Sequence, residues 1–173
     1  EHVVFYSRKV HNFFQVLDFV PEVYDGRGAL RPPTELKELR FTDRTTAAAV
    51  FCLLNSSLFR WFVNVFSDCR HLNRREVEGF KCDIREMIGA RAREWQRLAA
   101  RLSKHLRDTS EFRNMRFSHD TLRVQCIIPK HSKPIIDDID VMVAEHFGFD
   151  GEELDFIRNY AIKYRMGQGL DDD

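Results

Sequence analysis

The chain has 173 residues, 43% hydrophobic and 31% charged, with 27 basic and 27 acidic side chains; that fits one domain, or one compact domain with a helical appendage, of ordinary folded composition and large enough to bury a core. The longest apolar stretch is interrupted by Asn55, Ser56, Ser57 and Arg60, which excludes a membrane span there, and no signal peptide is visible. The zero net charge hides a gradient: residues 60–133 hold 17 Lys/Arg against 9 Asp/Glu, and residues 134–173 hold 3 against 11, so either a polyanion such as nucleic acid meets the basic middle or the two segments neutralise each other in the fold.

Residues 1–24 are rich in Val, Phe and Tyr with patchy alternation and read as one or two strands. The chain begins at Glu1 inside that strand-like run, which reads as a piece of something longer. Asp25-Gly26, Gly28 and Pro32-Pro33 mark a turn and loop over 25–33. The next segment, TELKELRF (34–41), fits either one helical turn or a short strand ending at Phe41. The clearest helix is 42–68. Thr42 or Asp43 can cap it, and apolar residues recur at 47, 50/51, 54, 58, 61/62 and 65 with helical spacing. Asn55, Ser56 and Ser57 in its middle predict a bend or a functional face.

After SDCRHL (67–72), Asn73 and Glu76 form a capping-box-like pair that opens a second helix, with a break near 78–83. One long helix is then predicted from Asp83 to Asp108. Its apolar seam is Ile84, Met87/Ile88, Trp95, Leu98, Leu102 and Leu106, so a helix partner is expected. Its other face carries Arg93, Arg97, Arg101 and Lys104, a solvated stripe or a phosphate-contacting one. Residues 111–130 read as a hairpin turning at Ser118-His119-Asp120. A helix over 133–148 opens at Pro134 and ends at Gly148, with Asp137, Asp138 and Asp140 near its first turns. A last helix over 150–165 has Asp150 as N-cap, followed by a frayed tail, GQGLDDD.

Chemistry-bearing motifs are sparse. The spacings of Cys52, Cys69, Cys82 and Cys126 fit no zinc pattern, so no metal site is expected, and reduced cytoplasmic thiols are the default. No GxGxxG, Walker, GxSxG or HExxH motif is present. Glu22 followed by Glu35-x-Lys37 fits a Mg²⁺-dependent nuclease constellation, but Pro32-Pro33 gives the triplet a helix-start context where that pattern wants a strand. His71 close to Asp68 and Cys69 is more simply incidental than a base beside a nucleophile. His105, His119 and His131 show no evident partners.

The run LNSSLFRWFVNVFSDCRHLNRREVEGF (54–80) stands out. With PPTELKELRF (32–41) before it and the 133–167 segment after it, it resembles the C-terminal target-recognition (TaqI-like specificity) domain of N6-adenine DNA methyltransferases and type IIG restriction–modification enzymes. The resemblance is carried by Leu54, Asn55, Ser56, Ser57, Leu58, Phe59, Trp61, Ser67, Asp68, Leu72, Asn73, Arg75 and Glu76. Cys69 stands where Gly is frequent in that family, and Ala161 where an acid is expected. The family's catalytic Asn/Asp-Pro-Pro-Tyr/Phe motif and glycine-rich S-adenosylmethionine motif are absent from this sequence.

The resemblance implies a specificity module without its catalytic partner. The expected fold is α/β (α+β), a small mixed sheet packed with helices, with the 83–108 helix as strut or spacer. The expected partners are double-stranded DNA and the methyltransferase domain of the same polypeptide. The chain itself would hold no cofactor; the parent enzyme would use S-adenosylmethionine, and Mg²⁺ if a nuclease domain is fused. Candidate DNA-contacting residues are Asn55, Ser56, Ser57, Arg60, Ser67, Asp68, Arg70, His71, Asn73, Arg74, Arg75 and Lys81. Other readings are the nuclease using Glu22, Glu35 and Lys37, and an interaction module using the 83–108 helix.

Overall fold

The computed structural model describes residues 1–118 and 120–167. His119 of the expected hairpin turn and residues 168–173 of the tail lie outside the described residues. The mixed α/β class holds, with two three-stranded sheets, each antiparallel throughout. The first has the order β2–β1–β4, from Val16–Leu17, His2–Ser7 and Leu36–Phe41; the second has the order β3–β6–β5, from Val23–Tyr24, Thr121–Cys126 and Glu111–Arg116. Of residues 34–41, Leu36–Phe41 thus form a strand, pairing Leu39 with Val4 and Lys37 with Tyr6. The helix-start reading of Glu35-x-Lys37 is corrected: the long β1 partner supplies a ladder that local sequence does not reveal.

The predicted 42–68 helix divides into α1 (Arg44–Asn55) and α2 (Ser57–Phe66), bent by 60°. Asp43 is the N-cap of α1, its carboxylate accepting from Thr46 N at 2.6 Å. The break itself is built by Ser56. Its Oγ donates to Leu53 O at 2.7 Å, beside the Ser56 N–H on the same carbonyl, and accepts from Phe59 N at 3.1 Å, so one hydroxyl ties the end of the first helix to an orphan amide of the second. Asn55 Nδ2 donates to Phe51 O and Val16 O at 2.9 and 3.2 Å, tying the bend to β2. Ser56→Ala orphans the buried Phe59 amide, while Leu53 O keeps the Ser56 N–H, and is expected to cost about 1–2 kcal/mol in a urea titration; an unchanged midpoint would deny Ser56 that role.

Helix α1 lies at the centre of the molecule. Eight of its residues are buried, from Ala47 to Asn55. On it pack α4 (Ile84–Ile88), α5 (Ala92–Asp108), α6 (Lys133–Phe147) and the first sheet, which turns Val4 and Tyr6 inward. Trp95, Leu98, Leu102 and Leu106 of α5 are all buried, so α1 and α6 of the same chain cover its apolar seam. Among the described residues, no single helix is long and apolar enough to cross a membrane.

Two further predicted helices are broken. The 83–108 helix stops at Gly89, whose φ of 45° and ψ of −129° are open only to glycine, and restarts as α5 at Ala92. The 150–165 helix divides into α7 (Gly151–Asn159) and α8 (Ile162–Met166) at Ala161, which has φ +51°. The apolar period continues across both breaks, which is why periodicity alone joins them. A short α3 (Arg74–Gly79) follows the exposed loop after α2.

Candidate functional site

The 54–80 run separates into a buried first part and a later part that lies mostly at the surface. Asn55, Ser56 and Ser57 are enclosed in the core. Their candidacy as DNA contacts is corrected: their polar groups are spent on the α1–α2 bend and on two distant side chains. Ser57 N donates to Asp140 Oδ1 at 2.7 Å, and the Arg165 guanidinium approaches Ser57 Oγ at 3.4–3.5 Å. Asp140 and Arg165 are themselves buried. Burial pushes the Asp140 carboxyl up to about 6, and burial also lowers Arg165 from its ordinary value. Arg60 is half-buried with its guanidinium carbon 5.1 Å from the Phe14 ring centre. Its Nε and one terminal nitrogen are buried without a partner, so it too belongs to the interior edge of this cluster rather than to open surface.

The remaining candidates lie on or near the surface. Asp68 Oδ1 accepts from Arg70 N at 3.0 Å and closes the turn; that bond is the main reason its carboxyl sits below the usual range. Ser67 Oγ accepts from Cys69 N at 3.3 Å. Cys69 has φ +55°, the left-handed backbone that glycine takes without strain. Its thiol lies 3.6–3.8 Å from acceptors on Val63, Asn64 and Ser67, not paired with His71.

From there the loop is stitched to the end of β1. His71 bridges Lys9, and Leu72 N donates to Arg8 O at 2.8 Å while its side chain is buried. Asn73 N donates to Glu76 Oε2 at 2.8 Å, half of the expected capping box, and its Oδ1 accepts from Lys37 Nζ at 3.4 Å. Arg74 pairs with Glu78 at 2.6 Å, a fully solvated contact of little energetic weight. Among the described residues Arg70, Arg75 and Lys81 are exposed and have no carboxylate partner.

This topology brings Arg8, Lys9 and Lys37 alongside Arg70, Arg74 and Arg75. The first three escape sequence reasoning because only the β1–β4 pairing and the His71 bridge put them there.

The charge gradient is partly neutralised and partly not. Arg101 of the α5 stripe pairs with Asp138 of α6 at 2.8 Å and Arg91, the α5 N-cap, with Glu145 of α6, whereas Lys104 pairs with Asp108 within α5 and Lys133 with Asp137 within α6. His105, expected to lack a partner, has Nδ1 2.9 Å from Ser132 Oγ. The nuclease residues are dispersed. Glu22 accepts from Tyr24 Oη and lies at the second sheet, whereas Glu35 pairs with Lys9 and Lys37 reaches Asn73. No group of three or more metal-binding side chains occurs among the described residues. Burial raises the thiols of Cys52 and Cys82, the latter to about 11, so both are neutral packing groups at pH 7.

No family model, curated protein or solved structure matches this chain.

Proposed function

We propose that this chain is the sequence-recognition module of an adenine-specific DNA methyltransferase of a restriction–modification system, working in the cytoplasm. It holds duplex DNA while a catalytic domain borne elsewhere on the polypeptide, supplied with S-adenosylmethionine, flips and methylates adenine. The observation that carries the reading is the run from Leu54 to Glu76, in which thirteen positions match the resembled family. The burial pattern supports it. The first part of that run builds a polar-cored bend, and the second presents Arg70 in a turn stitched to Arg8 and Lys9 and Arg75 at the start of α3 directly after it. Unpaired guanidinium groups on a rigidly tied turn suit phosphate oxygens, which position a duplex without reading it.

The test is a fluorescence anisotropy titration of labelled duplex with the chain across a salt series. Affinity is expected to fall steeply between about 50 and 200 mM salt, and the Arg70→Ala/Arg75→Ala double variant is expected to reduce the log–log slope by about 2, roughly 0.9 per phosphate contact. Absence of duplex binding at the lowest salt, or a slope untouched by the double variant, overturns the proposed role of this surface.

A further inference from the structure

The β5–β6 hairpin is unlike the rest of the fold. Every residue of β5 is exposed, and no layer covers either face of that strand. A strand that packs against nothing contributes little to the core, so its residue choices answer to something outside it.

Those choices differ between the two faces. In an antiparallel ladder, directly opposed residues share a face. The register pairs Asn114 with Arg123, Arg116 with Thr121 and Phe112 with Gln125, and it sets Tyr24 of β3 opposite Arg123. One face therefore collects Tyr24, Phe112, Asn114, Arg116 and Arg123. The other holds Met115 with the half-buried Leu122 and Val124.

The first face is organised. Arg123 lies 4.4 Å over the Phe112 ring, and the Tyr24 and Phe112 rings are 6.3 Å apart. Its acids are engaged by the protein: Glu22 accepts from Tyr24 Oη at 2.6 Å, and Asp120 Oδ1 accepts from Gly26 N and Thr121 N at 3.2 and 2.7 Å. Among the described residues Arg116 and Arg123 have no carboxylate partner, in contrast to Arg113, which pairs with Glu111 on the opposite face.

We infer that this hairpin enters the major groove of duplex DNA and reads base edges with Asn114, Arg116 and Arg123, a site outside the Arg70–Arg75 turn. A two-stranded ribbon fits that groove, about 12 Å wide, and six residues of strand extend about 20 Å. Asn and Arg are the side chains that pair bidentately with adenine and guanine. The unpaired positive charge commits the face to a polyanion rather than to an apolar protein surface. The inference rests on the DNA-recognition reading above and adds to it the element that carries sequence.

The test is selection of the full chain on a pool of randomised duplexes, followed by anisotropy titrations on the enriched sequence. Wild type is expected to enrich one motif. Asn114→Ala and Arg116→Ala are each expected to lose about tenfold or more in preference at one motif position, and Arg116→Ala also weakens binding to the pool through the charge it removes. Exposure of β5 makes both variants foldable, and a thermal melt checks it. Amide hydrogen exchange of residues 111–116 is expected to slow when the enriched duplex is added. A wild-type motif that both variants reproduce at full strength, with no slowing in 111–116, overturns the hairpin assignment and leaves DNA binding standing. Pool binding without any enriched motif also overturns base reading here. A chain that retains no duplex overturns the DNA reading itself, and this inference with it.

Discussion

Asp140→Ala is expected to lower the unfolding free energy by about 3 kcal/mol, because a buried amide and a buried guanidinium lose their acceptor and counter-charge together. Asp140 is 2% exposed and Arg165 4%. Ser57 N, the amide that starts α2, donates to Asp140 Oδ1 at 2.7 Å, and Arg165 closes the cluster from α8 through Ser57 Oγ. In a chain of this size that loss lowers Tm by roughly 6–12 °C. Calorimetry checks it, and a shift within a degree or two would mean that the bend does not depend on α6.

The same carboxyl has a pH signature of definite sign. Burial holds it at about 6 in the folded chain against an ordinary value of 3.8. The folded state therefore binds the proton more tightly. Asp140 contributes stability that is fully present below about pH 4 and is lost as pH rises through about 6, a swing of about 3 kcal/mol. Asp140→Asn keeps an acceptor without the ionisation. Urea titrations at several pH values are expected to show wild type losing ground to Asp140→Asn between pH 4 and 7. A constant difference would place the carboxyl's titration elsewhere.

This cluster also marks where sequence reading stops. The polar triplet 55–57 in an apolar helix is visible as an anomaly, and a bend is a sound expectation from it. Its second reading, a functional face, fails because the partners of Ser57 lie 83 and 108 positions away. Nothing local distinguishes a polar group meeting a buried carboxylate from one meeting DNA. Local signals fared better where the physics is local: Asp43 and Asp150 cap their helices, Glu76 accepts from Asn73 N, Gly148 ends α6 in a left-handed turn, and the 111–126 hairpin forms. The two-residue strands β2 and β3 were unreadable because they exist only through pairing with β1 and β6. Residues 111–116 follow as a strand from the hairpin reading of 111–130. That both its faces stay open is a tertiary fact, which is why the hairpin was absent from the candidate site.

The break at Gly89 leads to the other large effect. A continuous 83–108 helix would carry residues 87 and 95 about 12 Å apart along its axis, at 1.5 Å per residue. Instead the Trp95 indole donates from Nε1 to Met87 O at 3.2 Å, so the tryptophan holds α4 against α5 across the glycine. Trp95 is fully buried, and its carbonyl lies 4.0 Å from Cys52 Sγ on α1. Trp95→Ala is expected to cost about 3–5 kcal/mol from lost burial and the cavity left behind. Trp95→Phe keeps most of the ring but orphans the Met87 carbonyl, so a cost of about 1–3 kcal/mol is expected. The two variants separate packing from tethering. If tethering matters, amide exchange in Ile84–Ile88 accelerates in Trp95→Phe more than exchange in the middle of α5, because α4 is short and has little helix stability of its own. Equal protection in both variants would mean that α4 is held by Met87 and Ile88 packing alone. Lys81, one of the exposed cations, lies just before Asp83, the N-cap of α4. A loosened α4 would therefore soften the placement of Lys81 while leaving Arg70 on its β1-anchored turn and Arg75 at the start of α3, and affinity for duplex would fall by no more than the one contact that Lys81 supplies.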